Sequence, residues 1–369
     1  MTNKRVIFDR SFAYSFPAIR GIQAGREYYV AMCPMKVIPK IFQFNEETLP
    51  PEIRAQRTLN ESRVPEISRY MLQNPDSYVF SALTASIDAD THFDALDAEH
   101  GDNGILFVSM NGDFLINDGQ HRRAAIEQAL REDPDLGDET IAVVFFIDRG
   151  VQNAQQMFTD LNKHAVQPAP SLNVLYDHRD PKARVIREVV LSSTFYKDLV
   201  EMERSNLVAR SRKLFTLSAL HSATSALLAD LKKEVIEDNI QIASEFWDTV
   251  SKQFKEWNQV HEGIVPASEI RQNYLHTHGV ILHAIGKCGN ALLIQHSDTW
   301  KNEIPKLKTI DWSRSNPEWE GRSIVMGRVK KSRENIILTC NFIKQALSLP
   351  LYPEEQEVED MFLNKEKVK

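Results

Sequence analysis

Cysteine is scarce in this 369-residue sequence. Cys33, Cys288 and Cys340 stand far apart with no Cys-x-x-Cys pair, which excludes a disulfide framework and a zinc ribbon. Long hydrophobic runs are missing too: no stretch reaches the roughly 18 apolar residues that a membrane-spanning helix requires. The opening MTNKRVIFDRSF has neither the apolar core nor the small-residue cleavage site of a signal peptide. A cytoplasmic protein with no membrane partner is therefore expected. A Walker Lys-Ser/Thr loop is absent, so nucleotide hydrolysis would not follow the P-loop pattern. Also absent are a Ser-His-Asp or Cys-His nucleophile grouping, an internal repeat and a low-complexity tract. No helix-turn-helix signature is visible, which counts against a simple operator reader. Positive charge is in deficit, with 44 Lys+Arg against 51 Asp+Glu and a net charge of −7, and globally that argues against nucleic acid.

What is present is 42% hydrophobic residues, enough to exclude wholesale disorder, in a chain long enough for two domains with separate cores. Residues 26–38, bounded by Gly25 and Pro39, suit a strand or strand pair. The spacing predicts a helix over 61–73, with Pro65 in its first turn and Ile67, Tyr70 and Met71 on one face. A strand is expected over 78–87, then a polar, acid-rich surface loop over 88–104. ILFVSM and DFLIND, joined by Asn111-Gly112, read as a β-hairpin. A helix starts after Gly119, and TIAVVFFID reads as a strand buried on both faces. Helical periodicity returns over 152–165, closed by Pro168 and Pro170. From about 180 amphipathic helical patterns dominate, ending in a charged, loose tail, PEEQEVEDMFLNKEKVK. The expected fold class is α+β: a mixed sheet-and-helix domain over 1–175 and a mainly α-helical domain over 176–369.

The most informative segment is 114–126, FLINDGQHRRAAI. A strand ends at Asp118, Gly119 permits a sharp turn, and a helix begins at once. The first turn of a helix offers unpaired N–H groups and a positive dipole end, a natural seat for an anion. Arg122 and Arg123 sit in that turn, where the dipole disfavours cations. A phosphate or carboxylate between helix and arginines would resolve the conflict, because Arg binds oxyanions bidentately. The alternative is that the arginines pair with nearby acids such as Asp118 or Glu127.

Asp118-Gly119-Gln120-His121-Arg122 is similar to the signature of the DGQHR domain. It resembles a variant of the Gly-x-x-Arg element of the ParB and sulfiredoxin superfamily, which binds nucleotide phosphates. Around it, RTLNESRVPEI (57–67), FTDLNKH (158–164) and KLFTL (213–217) resemble the DndB family of DNA phosphorothioation systems, in which a backbone oxygen is replaced by sulfur. The resemblance runs over most of the chain and is most specific at the DGQHR core. It implies a ParB/sulfiredoxin-like first domain and a bacterial protein that regulates or assists DNA sulfur modification. It further implies ATP, or another NTP, bound with Mg2+ and hydrolysed. Gly119, His121 and Arg122 would hold the triphosphate, with Gln120 and Arg123 adjoining them. Asn60 and Arg63 match the upstream part of that site in the relatives. Asn162, Lys163 and His164 could reach the same pocket, and Asp118 could hold Mg2+ or orient a water. Asp118, His121 and Arg122 are thus the catalytic candidates. Simpler roles stand beside these: Asp118 as a helix N-cap, Asn162 and His164 as caps of a helix C-terminus.

Two segments of the second half oppose the global charge. Residues 204–213 hold Arg204, Arg210, Arg212 and Lys213, and residues 322–333 hold Arg322, Arg328, Lys330, Lys331 and Arg333, with no acid in either. Small polar residues between the cations can donate to phosphate oxygens, so Arg204, Arg210, Arg212, Lys213, Arg328, Lys330, Lys331 and Arg333 are candidates for duplex DNA contact. The competing reading is a solvated face paired with the 88–104 acids. His276, His278, His283 and Cys288 do not fall on one helical face, which disfavours a metal site. Cys33 lies in an apolar strand pattern as an inert core residue, and Tyr274, Trp312 and Trp319 are core aromatics before they are base-stacking ones. Three functions follow: a DNA-binding NTPase, a non-enzymatic repressor of the modification operon, and a DNA-nicking or partner-recruiting accessory. The expected partners are double-stranded DNA and other subunits of the modification machinery, with a homo-oligomer left open.

Overall fold

The computed structural model describes residues 8–42, 62–97, 101–147, 156–157, 159–161, 168–231 and 235–367. The chain packs as two units, residues 1–166 and 167–369. The first is built on a seven-stranded sheet. Its strands are β1 (Ala13–Gln23), β2 (Arg26–Pro34), β3 (Leu83–Asp88), β4 (Thr91–Ala95), β5 (Asn103–Ser109), β6 (Asp113–Asp118) and β7 (Thr140–Ile147), in the order β4-β5-β1-β2-β7-β3-β6. Only the β3–β7 pair is parallel. Ala24 and Gly25, at φ 51° and 74°, make the primed turn that a two-residue hairpin between β1 and β2 needs. Pro17 disguises β1 as non-strand in the sequence. The β1–β2 ladder begins one residue later, at Ala18, so the missing N–H costs that pair nothing.

The sheet is rolled. β3 and β4 are separated by two residues and β5 and β6 by three, although each pair is far apart in the strand order. In a flat sheet β1 and β6 would stand roughly 19 Å apart. The rings of Tyr14 on β1 and Phe114 on β6 are 6.0 Å apart, centroid to centroid. The segments 83–95 and 103–118 therefore form one long antiparallel ribbon, bent at 89–90 and 110–112. One half pairs with β7 and the other with β1, which closes the sheet around Phe16, Phe42, Phe114 and Phe145.

This ribbon corrects three sequence expectations. Asn111-Gly112 lies in a turn, but β5 and β6 do not pair with each other, because the chain passes a bend there and does not fold back. The polar 88–104 stretch is not all loop: β4 is an edge strand inside it, polar because it is half exposed, with Asp94 paired to Arg10 at 2.8 Å. β7 is central but alternates, with Ile141, Val143 and Phe145 buried and the residues between them half-buried. Two helices, α1 (Arg63–Gln73) and α2 (Gln120–Glu132), pack on each other, and Met71, Ile126 and Ala129 join the core of the rolled sheet.

The second unit is helical. In chain order its main helices are α3 (Pro170–Tyr176), α4 (Pro181–Ser192), α5 (Thr194–Leu199), α6 (Leu217–Leu227), α7 (Ile236–Ser251), α8 (Lys255–His261), α9 (Ala267–Asn273), α10 (Gly279–Gln295), α11 (Arg333–Ala346) and α12 (Pro353–Lys367). α10 is the central helix. A side chain on Gly286 would collide with the backbone of Ala223 in α6, so glycine there sets how closely the two helices approach. Trp247, Trp257, Trp312 and Trp319 are buried, as are Cys288 and Cys340, while Cys33 is buried in the first unit. His276 accepts from Trp257 Nε1 at 2.9 Å through Nδ1, and its Nε2 lies 3.6 Å from Glu256. It is a core residue, and no metal-ligand grouping occurs among the described residues.

The expected loose tail is the helix α12. Glu359 is 2% exposed and forms a two-bonded pair with buried Arg322, at 2.6 and 3.0 Å. Glu355 pairs with buried Lys344 at 2.6 and 2.7 Å. A reading by composition sees only charges here, because the partners of these acids lie 37 and 11 residues away.

Removing one member of a buried pair strands the other without water. Glu359→Ala should therefore destabilise the second unit by about 3–5 kcal/mol, with a large part recovered in Arg322→Met/Glu359→Leu. Urea unfolding followed by tryptophan fluorescence checks this. Burial also holds His276 and His278 below the ordinary histidine pKa of 6.5. The unfolded chain takes up those protons first, so stability is full above 6.5 and falls as pH drops through and below it. A pH series of the same unfolding curves should show that slope, reduced in His276→Gln.

Candidate functional site

The site of the first unit is built where β6 runs into α2. Asn117 is buried and donates to Ser86 Oγ at 2.8 Å, which locks β6 onto β3 just before the turn. Gly119 then adopts φ 103°, a conformation open to glycine and strained for other residues. A side chain there would also strike Leu83. Gly119 is the N-cap of α2 and supplies no capping side chain, so Asp118 is not the cap. The N-cap residue thus offers the first-turn N–H groups no side-chain acceptor.

Arg122 is fixed on two sides. Nη2 lies 2.6 Å from Asp118, and Nη1 donates to the Ser81 carbonyl at 2.8 Å and to the Ser81 hydroxyl. Its side chain is 15% exposed, against 46% for Asp118. Arg123 turns inward instead: it is 8% exposed and donates to Glu127 and to the Pro39 carbonyl. Gln120 is buried beside it. Both ion pairs that the simpler reading named, Arg122–Asp118 and Arg123–Glu127, are therefore formed. His121 is half-buried, and burial followed by the nearby Arg63 charge holds its pKa below 6.5. Arg63, at the start of α1, thus stands near the first turn of α2. Asn60, Asn162, Lys163 and His164 lie outside the described residues. Ser81 had no sequence signal, since its part depends on the irregular stretch before β3.

In the second unit, Arg204, Arg210, Arg212, Arg328, Lys330, Lys331 and Arg333 are exposed, and none forms an ion pair with a described residue. Two cations of the basic segments are taken by the fold. Arg322 is buried on Glu359, and Lys213 donates to the carbonyls of Lys197 and Asp198 at the end of α5. The two segments, over a hundred residues apart in sequence, are each held by an arginine, and the two arginines are linked through the 271–273 backbone. Arg271 donates to the carbonyls of Val208, Ala209 and Ser211, and Arg314 donates to that of Gly327. The Arg314 backbone N–H is bonded to Asn273, and the charges of both arginines act on His278. Neither anchor was visible in the sequence, because each acts through carbonyls of a distant loop. Arg333 also borders a cleft of about 760 Å³ with His283 and Lys287.

Gly25 is a direct steric control for Gly119. Gly25 shares the left-handed conformation but has open space where a side chain would go. Gly25→Ala should cost about 1–2 kcal/mol, and Gly119→Ala clearly more, through contact with Leu83. Paired thermal melts of the two variants measure the difference.

Comparison with known proteins gives one family. A model for DndB, described as DNA-sulfur modification-associated, matches residues 16–350. No curated protein and no solved structure matches the chain. The matched span takes in the 118–123 turn and both basic segments, and the chain belongs to the DndB family of DNA-sulfur-modification-associated proteins.

Proposed function

We propose that this protein, within a DNA sulfur modification system, binds duplex DNA through the exposed cations of its second unit and binds and hydrolyses ATP at the 118–123 turn. The observation that carries the DNA reading is that two acid-free segments are tied to bonded neighbours, 204–213 to Arg271 and 322–333 to Arg314, whose backbone N–H meets the Asn273 carbonyl, with seven exposed cations left unpaired among the described residues. A duplex backbone supplies the matching charge, and its released counterions supply the affinity.

The nucleotide reading rests on the uncapped start of α2, with Arg63 and His121 beside it and Arg122 held rigid at its edge. The residues fit a phosphate group. Helix-start N–H donors and a guanidinium fixed by Asp118 and Ser81 belong to one turn, and both are groups that bind oxyanions. Mg2+ would arrive with the nucleotide, since the described residues offer Asp118 and no fuller ligand set. Its chemistry would be charge neutralisation on the phosphates. The chain's own part is to hold them against the helix start and to keep His121 neutral, as a proton acceptor, near pH 7.

One observation favours a second reading, a non-enzymatic repressor of the modification operon. Arg122 and Arg123 already have acid partners, so the fold satisfies them without a ligand. Phosphate release separates the two. Across the four NTPs, with and without duplex DNA, the wild-type chain should turn over at least one nucleotide. His121→Ala and Arg122→Ala should each lower the rate about 10²-fold while the far-ultraviolet circular dichroism is kept. Absence of turnover in the wild type leaves the repressor reading. For DNA, neutralising Arg328, Lys330 and Lys331 together should flatten the slope of log K against log salt by about three. An unchanged slope removes that surface from the DNA contact.

A further inference from the structure

The 324–329 hairpin carries a residue that the fold does not explain. Ile324–Val325 and Arg328–Val329 pair antiparallel across a two-residue turn, Met326-Gly327. Both turn residues have positive φ, 49° and 71°. That geometry suits glycine, asparagine or aspartate at its first position, and methionine is disfavoured there. Met326 is also 92% exposed. An apolar side chain thus sits in a strained conformation, and the described residues leave nearly all of it in water.

The hairpin is braced, so the tip is held outward. Arg314 Nη2 donates to the Gly327 carbonyl at 2.9 Å, and Glu320 accepts from the Met326 N–H at 3.0 Å. The Lys330 N–H donates to the Ser323 carbonyl at 2.9 Å. At its base Arg322 is buried on Glu359 and the Leu338 carbonyl, and Asn335 donates to the Arg322 carbonyl. Directly after the tip come Arg328, Lys330, Lys331 and Arg333, all exposed and unpaired among the described residues. Of the acids near in sequence, Glu320 is occupied by the turn itself, while Glu334 directly follows Arg333 at the start of α11.

A stiff two-stranded ribbon with an apolar tip and cations at its root matches one kind of surface. A duplex groove has phosphates along its rims and the apolar faces and edges of bases within, and a two-stranded ribbon fits inside it. In the major groove, which is the one wide enough for such a ribbon, apolar side chains contact the thymine methyl groups. We propose that the 324–329 hairpin is a DNA-reading wing: Met326 enters a groove of duplex DNA and packs against the bases while Arg328, Lys330 and Lys331 hold the rim phosphates. This rests on the DNA-binding reading and adds to it a non-ionic contact at a named residue.

The test is Met326→Gly in the full-length chain, with duplex affinity measured by fluorescence anisotropy over a salt series. Glycine suits the left-handed turn, so the variant should melt at or above the wild-type temperature. Its affinity should fall about tenfold with the salt slope unchanged, because an apolar group releases no counterions. Arg328→Ala should instead lower the slope by about one. If Met326→Gly binds DNA as the wild type does, the wing assignment is overturned while DNA binding stands. If the wild type shows no salt-dependent duplex affinity, the DNA reading itself fails. If Met326→Gly dissociates a homo-oligomer in size-exclusion chromatography and leaves DNA affinity intact, the tip docks on a second copy and the proposal is wrong.

Discussion

The bend in the ribbon formed by 83–95 and 103–118 is the constraint on which the first unit depends. One half of the ribbon completes the β7 edge and the other completes the β1 edge, so closure of the sheet and position of the 118–123 turn are set by the same chain. β6 ends beside β3 because the two are paired, and that pairing carries Ser81, just upstream of β3, within reach of Arg122. Gly119 lies against Leu83 for the same reason. The geometry of the turn is thus a consequence of sheet closure, and the fixed guanidinium is a consequence of the turn.

Charge in this protein is organised by location. The net value of −7 describes the whole chain and bears on solubility. Within the second unit, acids are spent inside the fold, Glu359 on Arg322 and Glu355 on Lys344, where burial makes each pair demanding of its partner. The exposed cations of 204–212 and 328–333 keep no such partner among the described residues. Two acids are thus used to hold α12 in place, while seven cations of the two basic segments stay exposed.

The same α12 pairing supports the basic hairpin from beneath. Arg322 begins the segment that leads to Met326 and is tied at once to α12 through Glu359 and to α11 through the Leu338 carbonyl. Arg314 braces the tip from the 271–278 side. Helical packing thereby fixes a short hairpin whose own two bridge pairs would be marginal alone.

Local pattern in the sequence sufficed for the α+β division, the helix expected over 61–73 and found at 63–73, the strand end at Asp118, the glycine turn and the helix after it, and the two acid-free basic segments. Each of these rests on a local pattern: periodicity, a turn residue, or charge density within about a dozen positions. The motif at 118–122 also pointed to the family that the chain belongs to. Tertiary structure alone decided that Asn111-Gly112 is a bend and not a hairpin tip, that Arg123 faces inward while Arg122 is held at the edge, and that the charged tail is a docked helix. It alone tied the 204–213 segment to Arg271 and the 322–333 segment to Arg314, whose backbone meets Asn273. These outcomes depend on which distant backbone or carboxylate a side chain meets, and the long-range contacts that fix such partners leave no periodic trace in the residues on either side of them.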